Sequence, residues 1–322
     1  MEGESAAGCQ RVVRAAFLAN FLIAVTKFAV AVLTGSTALL AEGFHSLADT
    51  ANQLFLLLGL KLSRRPPDQK HPFGYGKEGY FWAFVVSISI LVVGATFSIY
   101  EGIAKILRPT PLSHEEWAYL VLFLSGMFEF YAWRMALGEL RPLIKKQGVF
   151  GAIRESKAPA TFIVFLEDTS AMIGLLMAFV GILLSNLFEC PIFDGIASVA
   201  IGGLLAVVAL VVSYETRSLL IGEAISPEEL KRLREAIAKV PEVQEVMDVL
   251  TMHLAPDDVL VNLNVNFADD LTTDQVEEAI DRVERAVQQA LPSVKRIFVE
   301  AESLRKVPAR PKPPGRQQEG SP

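Results

Sequence analysis

Six apolar runs of bilayer-spanning length constrain this chain more than any motif does. They cover roughly residues 12–34, 37–60, 79–104, 116–138, 158–185 and 194–216. An α-helix rises about 1.5 Å per residue, so each run is long enough to cross a hydrocarbon core of about 30 Å. Backbone in lipid must satisfy its own hydrogen bonds, which makes helices the expected form. The overall composition agrees, at 52% hydrophobic with a mean hydropathy of +0.37. The expectation is an all-α six-helix transmembrane bundle over residues 1–221. The link Gly35-Ser36 is so short that the first two spans should form a tight hairpin.

Lys and Arg in the loops orient the bundle. The link after the second span carries Lys61, Arg64, Arg65, Lys70 and Lys77, and the link after the fourth carries Arg141, Lys145, Lys146, Arg154 and Lys157. The opposite side has only Lys105 and Arg108 in one link and no basic residue between Ser185 and Phe193. The positive-inside rule then puts both termini in the cytoplasm, with the cell (inner) membrane as the expected location. Met1–Gln10 is short and polar, unlike a cleaved leader. Cys9 and Cys190 lie far apart and suggest neither a disulfide framework nor a thiolate site. The net charge of −6 gives no sign of nucleic-acid binding.

Composition changes after Gly222. Ser226-Pro-Glu-Glu229 is a capping box with proline at the first helical position, opening a helix to about Lys239. Val243–Met252 and Val259–Phe267 alternate as strands on either side of Ala255-Pro-Asp-Asp258. Thr272 and Gln275 cap a second helix to about Ala290, and Val294–Ala301 is a third strand. This order predicts an α+β cytoplasmic domain, αββαβ and ferredoxin-like, over 222–303. A disordered tail is expected at 304–322.

Charged groups inside the apolar spans carry the functional expectation, because they are costly there and usually face a bundle interior or a water-filled path. In the stretch Ala41–Gln53, His45 and Asp49 stand four residues apart. On a helix they share one face, about 40° apart and one turn from each other. They are two ready ligands for a divalent metal; a His–Asp hydrogen bond between helices is the bland alternative. Glu129 sits near the middle of the fourth span, where a cation role and a structural pair with Lys27 of the first span are equal rivals. Glu167 and Asp168 are adjacent acids in the fifth span, about 100° apart on a helix, so they need not serve one site. Asn20 reads as interhelical glue. Asp194 reads as an N-cap of the sixth span.

The basic loop His71-Pro-Phe-Gly-Tyr-Gly-Lys77, the His45–Asp49 pair, Leu166-Glu-Asp-Thr-Ser-Ala171, and Glu129 with Glu139-Leu-Arg141 together resemble the cation diffusion facilitator family, from about residue 12 to 302. Within it the chain is most similar to the zinc transporter nine branch. The resemblance implies a metal/proton antiporter with a site of His45, Asp49 and Asp168. The family's second histidine in the fifth span falls on Val164, so Glu167, Glu129 or water is expected to replace it, with Glu167 favoured. The family's loop site falls on Asp68 and His71, with Tyr75 at the third position. Its cytoplasmic metal positions fall on Met247, Asn264, Glu300 and Glu302, which implies dimerisation rather than zinc binding there. Lone His253 reads as a satisfied surface or interface residue.

The expected function is therefore proton-coupled efflux of a divalent cation, Zn²⁺, by alternating access, in a homodimer embedded in the lipid bilayer. Mn²⁺, Co²⁺ or Fe²⁺ is the alternative cargo, since losing a histidine hardens the site. A non-transporting regulator that kept the fold is a further alternative. An intramembrane enzyme is disfavoured: Asp194-Gly195 lacks companion acids and no His-Glu-x-x-His occurs. The cation is cargo, and no resident cofactor is expected.

Overall fold

The computed structural model describes residues 2–34, 37–109 and 115–301, excluding the side chains of 2–7, 31, 33–34, 37–45, 115–118, 150 and 154–155. Gly35-Ser36 and the expected tail lie outside the described residues. The chain divides into two compact units that change over at Glu223–Ala224, with the short segment His253–Asp257 grouped with the first.

The first unit contains α1 (Glu2–Thr34), α2 (Thr37–Leu62), α3 (Glu78–Leu107), α4 (Glu115–Glu155), α5 (Pro159–Leu187) and α6 (Ile192–Ile221). All but α2 are long and apolar enough over their described residues to cross a membrane. Helix α2 has 26 residues, of which 46–62 have described side chains. The surface of the bundle is apolar: Phe123, Leu176, Val207 and Tyr214 are 65%, 63%, 60% and 69% exposed. Asn20, Gln53, Glu129, Glu167 and Asp168 are buried. Apolar groups outside and polar groups inside is the arrangement of a bundle whose exterior meets lipid.

Two helices depart from the expected regular spans. In α3 the segment Ile90–Ala95 is a π-turn, and Thr96 Oγ1 donates to Leu91 O at 3.1 Å. In α4 the helix passes Pro142 and breaks at Gly148, where φ is 74°. Helices α3 and α6 approach closely because glycines face each other. A Cβ at Gly102 would stand 2.7 Å from Gly195 O, and one at Gly202 would stand 2.9 Å from Ala95 O. Asp194 is not an N-cap: Pro191 holds that position, and Asp194, in the first turn of α6, reaches Lys105 Nζ at 3.1 Å. The helix enters with αR dihedrals at Pro191, so no capping side chain is engaged there.

The second unit is αββαβ: α7 (Pro227–Ile237), β1 (Val243–Ala255), β2 (Asp258–Phe267), α8 (Thr273–Ala290) and β3 (Val294–Ala301). Both capping boxes form, Ser226 with Glu229 and Thr272 with Gln275. The sheet order is β1-β2-β3, with β2 and β3 parallel and Val261 opposite Ile297. Val259, Val261, Leu263 and Val265 point alternately into a core with Leu233 and Ile237 of α7 and Val283 and Val287 of α8. Strand β1 runs past the expected Met252 to Ala255, so the hairpin link is only Pro256-Asp257. His253 lies within this strand and is buried.

Candidate functional site

The site is built from α2, α4 and α5. Backbone geometry keeps His45 and Asp49 on one helix, as their spacing requires, but the side chain of His45 lies outside the described residues. Asp49 is half-buried. Glu129 of α4 and Glu167 and Asp168 of α5 are buried, at 9%, 8% and 1% exposure. Asp49, Glu129, Glu167 and Asp168 all lie within electrostatic reach of one another. Lys27 of α1 is also buried and acts on Glu129, so the rival pairing and the carboxylate cluster occur together.

Four acids in an apolar bundle repel, and the local chemistry that tolerates them is visible. Gln53 Nε2 donates to Glu167 Oε2 at 2.6 Å, and Asn52 Nδ2 donates to Glu167 Oε1 at 3.3 Å. Lys27 adds a positive charge beside Glu129. Trp133 Nε1 of α4 donates to Thr169 Oγ1 of α5 at 3.0 Å, fixing the approach of the two acid-bearing helices. Asp168 Oδ2 is buried without a hydrogen-bond partner among the described residues. Such an atom is suited to receive a cation or a proton.

Among the described residues, no three His, Cys, Asp or Glu side chains stand close enough together to hold one metal ion. The His45 side chain is not among those described. Val164, at the position of the family's missing histidine, is fully buried in the apolar core of the bundle. Asn52 and Gln53 received no role from the sequence. The available signal was their spacing of three and four residues from Asp49, which puts them on its face of α2, one turn along.

The other expected positions sort as follows. In the loop, Asp68 accepts from Tyr75 Oη at 2.7 Å and from the His71 backbone N–H at 2.6 Å. The Tyr75 hydroxyl, and then the His71 amide, hold the Asp68 carboxyl below its ordinary range. Tyr75 thus occupies Asp68 where the family pattern has a third ligand. In the second unit Asn264 and Glu300 are opposite each other on β2 and β3, Met247 is exposed on β1, and Glu302 lies outside the described residues.

Residues 13–221 match the cation efflux transmembrane domain, and residues 225–304 match the cytoplasmic domain of cation efflux proteins. The proton-coupled zinc antiporter SLC30A9, mitochondrial, of Mus musculus is 33% identical over 81% of this chain and 46% of its own length. Metal tolerance protein C4 of Arabidopsis thaliana is 26% identical over 91% of this chain and 73% of its own. The magnetosome protein MamB of Paramagnetospirillum magneticum is 24% identical over 93% of this chain and 97% of its own. The chain spans about half the length of the SLC30A9 proteins that it matches.

Proposed function

The chain belongs to the cation diffusion facilitator family of cation efflux proteins, and from that premise we propose that it carries a divalent metal cation, Zn²⁺, across a bilayer in exchange for protons. The observation that carries this reading is the gathering of Asp49, Glu129, Glu167 and Asp168 from three helices inside the apolar bundle. Ionisable groups are costly inside an apolar bundle, and a path for a cation is what they most often mark there.

In this reading His45, Asp49 and Asp168 bind the cation, and Glu167 supplies the fourth donor, with Glu129 beside it. An imidazole and carboxylates suit Zn²⁺. The absence of a ligand at Val164 leaves a harder site, which admits Mn²⁺, Co²⁺ or Fe²⁺ as competitors. Imidazole titrates near neutrality, so protons and metal compete for His45. Moving a +2 ion out against 100 mV costs about 4.6 kcal/mol, at ~2.3 kcal/mol per charge, which inward proton flow offsets. Alternating access follows from the need for one site to meet each side in turn. The basic loops support an orientation with both termini cytoplasmic, in the cell membrane, by the positive-inside rule.

The cytoplasmic unit pairs two copies. On its sheet, Ile297 and Val299 face the helices, whereas Phe298 and Leu250 are 53% and 54% exposed. An apolar pair on the open face of a small sheet is a self-association surface.

The deciding experiment is metal flux into sealed proteoliposomes holding the purified full chain, with Zn²⁺ competed by Mn²⁺, Co²⁺ and Fe²⁺ under an imposed pH gradient. Zinc accumulation with opposite proton movement is expected. Flux of none of these ions would leave the non-transporting regulator as the better reading.

A further inference from the structure

The clamp on Glu167 leaves a residue of unsatisfied chemistry. Both carboxamides turn their N–H groups toward its carboxylate, through Gln53 Nε2 at 2.6 Å and Asn52 Nδ2 at 3.3 Å. With their nitrogens engaged on Glu167, the two amides turn their oxygens away from it. Among the described residues those oxygens, Asn52 Oδ1 and Gln53 Oε1, are buried with no hydrogen-bond partner, and so is Asp168 Oδ2. The three residues are 3%, 0% and 1% exposed. Two unpartnered amide oxygens beside Glu167 are not explained by packing, because an apolar residue would fill either amide position without stranding an acceptor.

Helix geometry says where they lie. Asn52 and Gln53 follow Asp49 by three and four residues on one face of α2, about 5.4 Å further along the axis. That direction runs toward the basic loop after Leu62. Oxygen donors of this kind, carbonyl and carboxylate, are what a hard divalent cation accepts in place of water.

We propose that Asn52 and Gln53 are cation-binding residues: their amide oxygens, with Asp168 Oδ2, form an oxygen-donor station one turn from Asp49 on the basic-loop side. The station takes a partly dehydrated divalent cation before or after the His45–Asp49 level. The amide nitrogens meanwhile hold Glu167 in place, so one side chain serves both the cation and the acid. This rests on the transporter reading above and adds two uncharged ligands to it.

The test measures equilibrium binding of Zn²⁺ and Mn²⁺ to the full chain in lipid nanodiscs, separately from flux in proteoliposomes. Asn52→Leu and Gln53→Leu remove oxygen and nitrogen together, and each is expected to weaken both metals about tenfold. Asn52→Asp and Gln53→Glu exchange the amide NH2 for a second carboxylate oxygen, so they lose the donor to Glu167 and keep an oxygen ligand, and they should stay within about threefold of the parent chain. If the amides merely steady Glu167, the acidic variants fall as far as the leucine ones, and the proposal is overturned. Parent-like binding by the leucine variants overturns it as well. Should the leucine variants fail to run as monodisperse protein, the acidic pair decides alone: binding retained supports the station, binding lost removes it. A parent chain that binds metal but moves none refutes the transporter reading while leaving the station standing.

Discussion

Lys105 Nζ lies 3.1 Å from Asp194 Oδ2, joining the end of α3 to the first turn of α6. The two side chains are 33% and 13% exposed, so water partly screens the pair. Beneath it the same two helices meet through Gly102, Gly195 and Gly202. The close approach is therefore a backbone property, and the ion pair only tightens its end. Lys105→Gln is expected to cost about 1 kcal/mol or less. Gly102→Leu should cost about 1–3 kcal/mol, because even a methyl would stand 2.7 Å from Gly195 O. Thermal unfolding of the purified full chain, followed by tryptophan fluorescence, ranks the two; the opposite order would mean that the ion pair and not the glycine contact sets the distance.

Asp49→Ala should abolish metal flux while leaving the protein folded, since Asp49 is only half-buried and its removal relieves repulsion among the acids. Flux at the parent rate in proteoliposomes from a monodisperse Asp49→Ala preparation would remove this residue from the site.

Glu167→Gln and Glu129→Gln separate the two possible fourth ligands. Glu167 stands next to Asp168 and is held by α2, the helix that bears Asp49, whereas Glu129 has Lys27 as a counter-charge. Glu167→Gln is expected to weaken metal binding about tenfold and to move the pH profile of transport. Glu129→Gln should leave affinity within about twofold. Calorimetric titration with Zn²⁺ gives the comparison, and the reverse pattern would transfer the ligand role to Glu129.

The loop predicts a pH response of its own. The Tyr75 hydroxyl and then the His71 amide hold the Asp68 carboxyl below its ordinary range. A group with a depressed folded-state pKa stabilises its loop above the ordinary carboxylate pKa, and that stabilisation is lost as pH falls through the lowered value. Tyr75→Phe should raise the Asp68 titration toward the ordinary carboxylate value, read from its carboxyl ¹³C shift. An unmoved midpoint would mean that the backbone amide alone holds it.

Phe298→Glu should convert a dimer into monomers, because it puts a charge on the open sheet face beside Asn262. Light scattering on the full chain in detergent measures the mass. A persistent dimer would place the contact elsewhere.

Length and hydropathy were enough to announce the spans, because a lipid-crossing helix must be apolar along its whole length and that is a property of consecutive residues. Caps and alternation likewise announced the αββαβ unit, since Ser226–Glu229, Thr272–Gln275 and Val259–Val265 act within one element. His45, Asp49, Glu129, Glu167 and Asp168 stood out singly for the same reason, each being a charge in an apolar run. What no run of letters contains is which helices turn toward each other. The tertiary fold decided that Glu129 meets Asp49 and Lys27, that Asn52 and Gln53 of α2 grip Glu167 of α5, and that Tyr75 takes up Asp68. It also decided that Asp194 answers Lys105 instead of capping its own helix. Those pairings join residues up to 115 positions apart, and packing between helices, not local propensity, selects them.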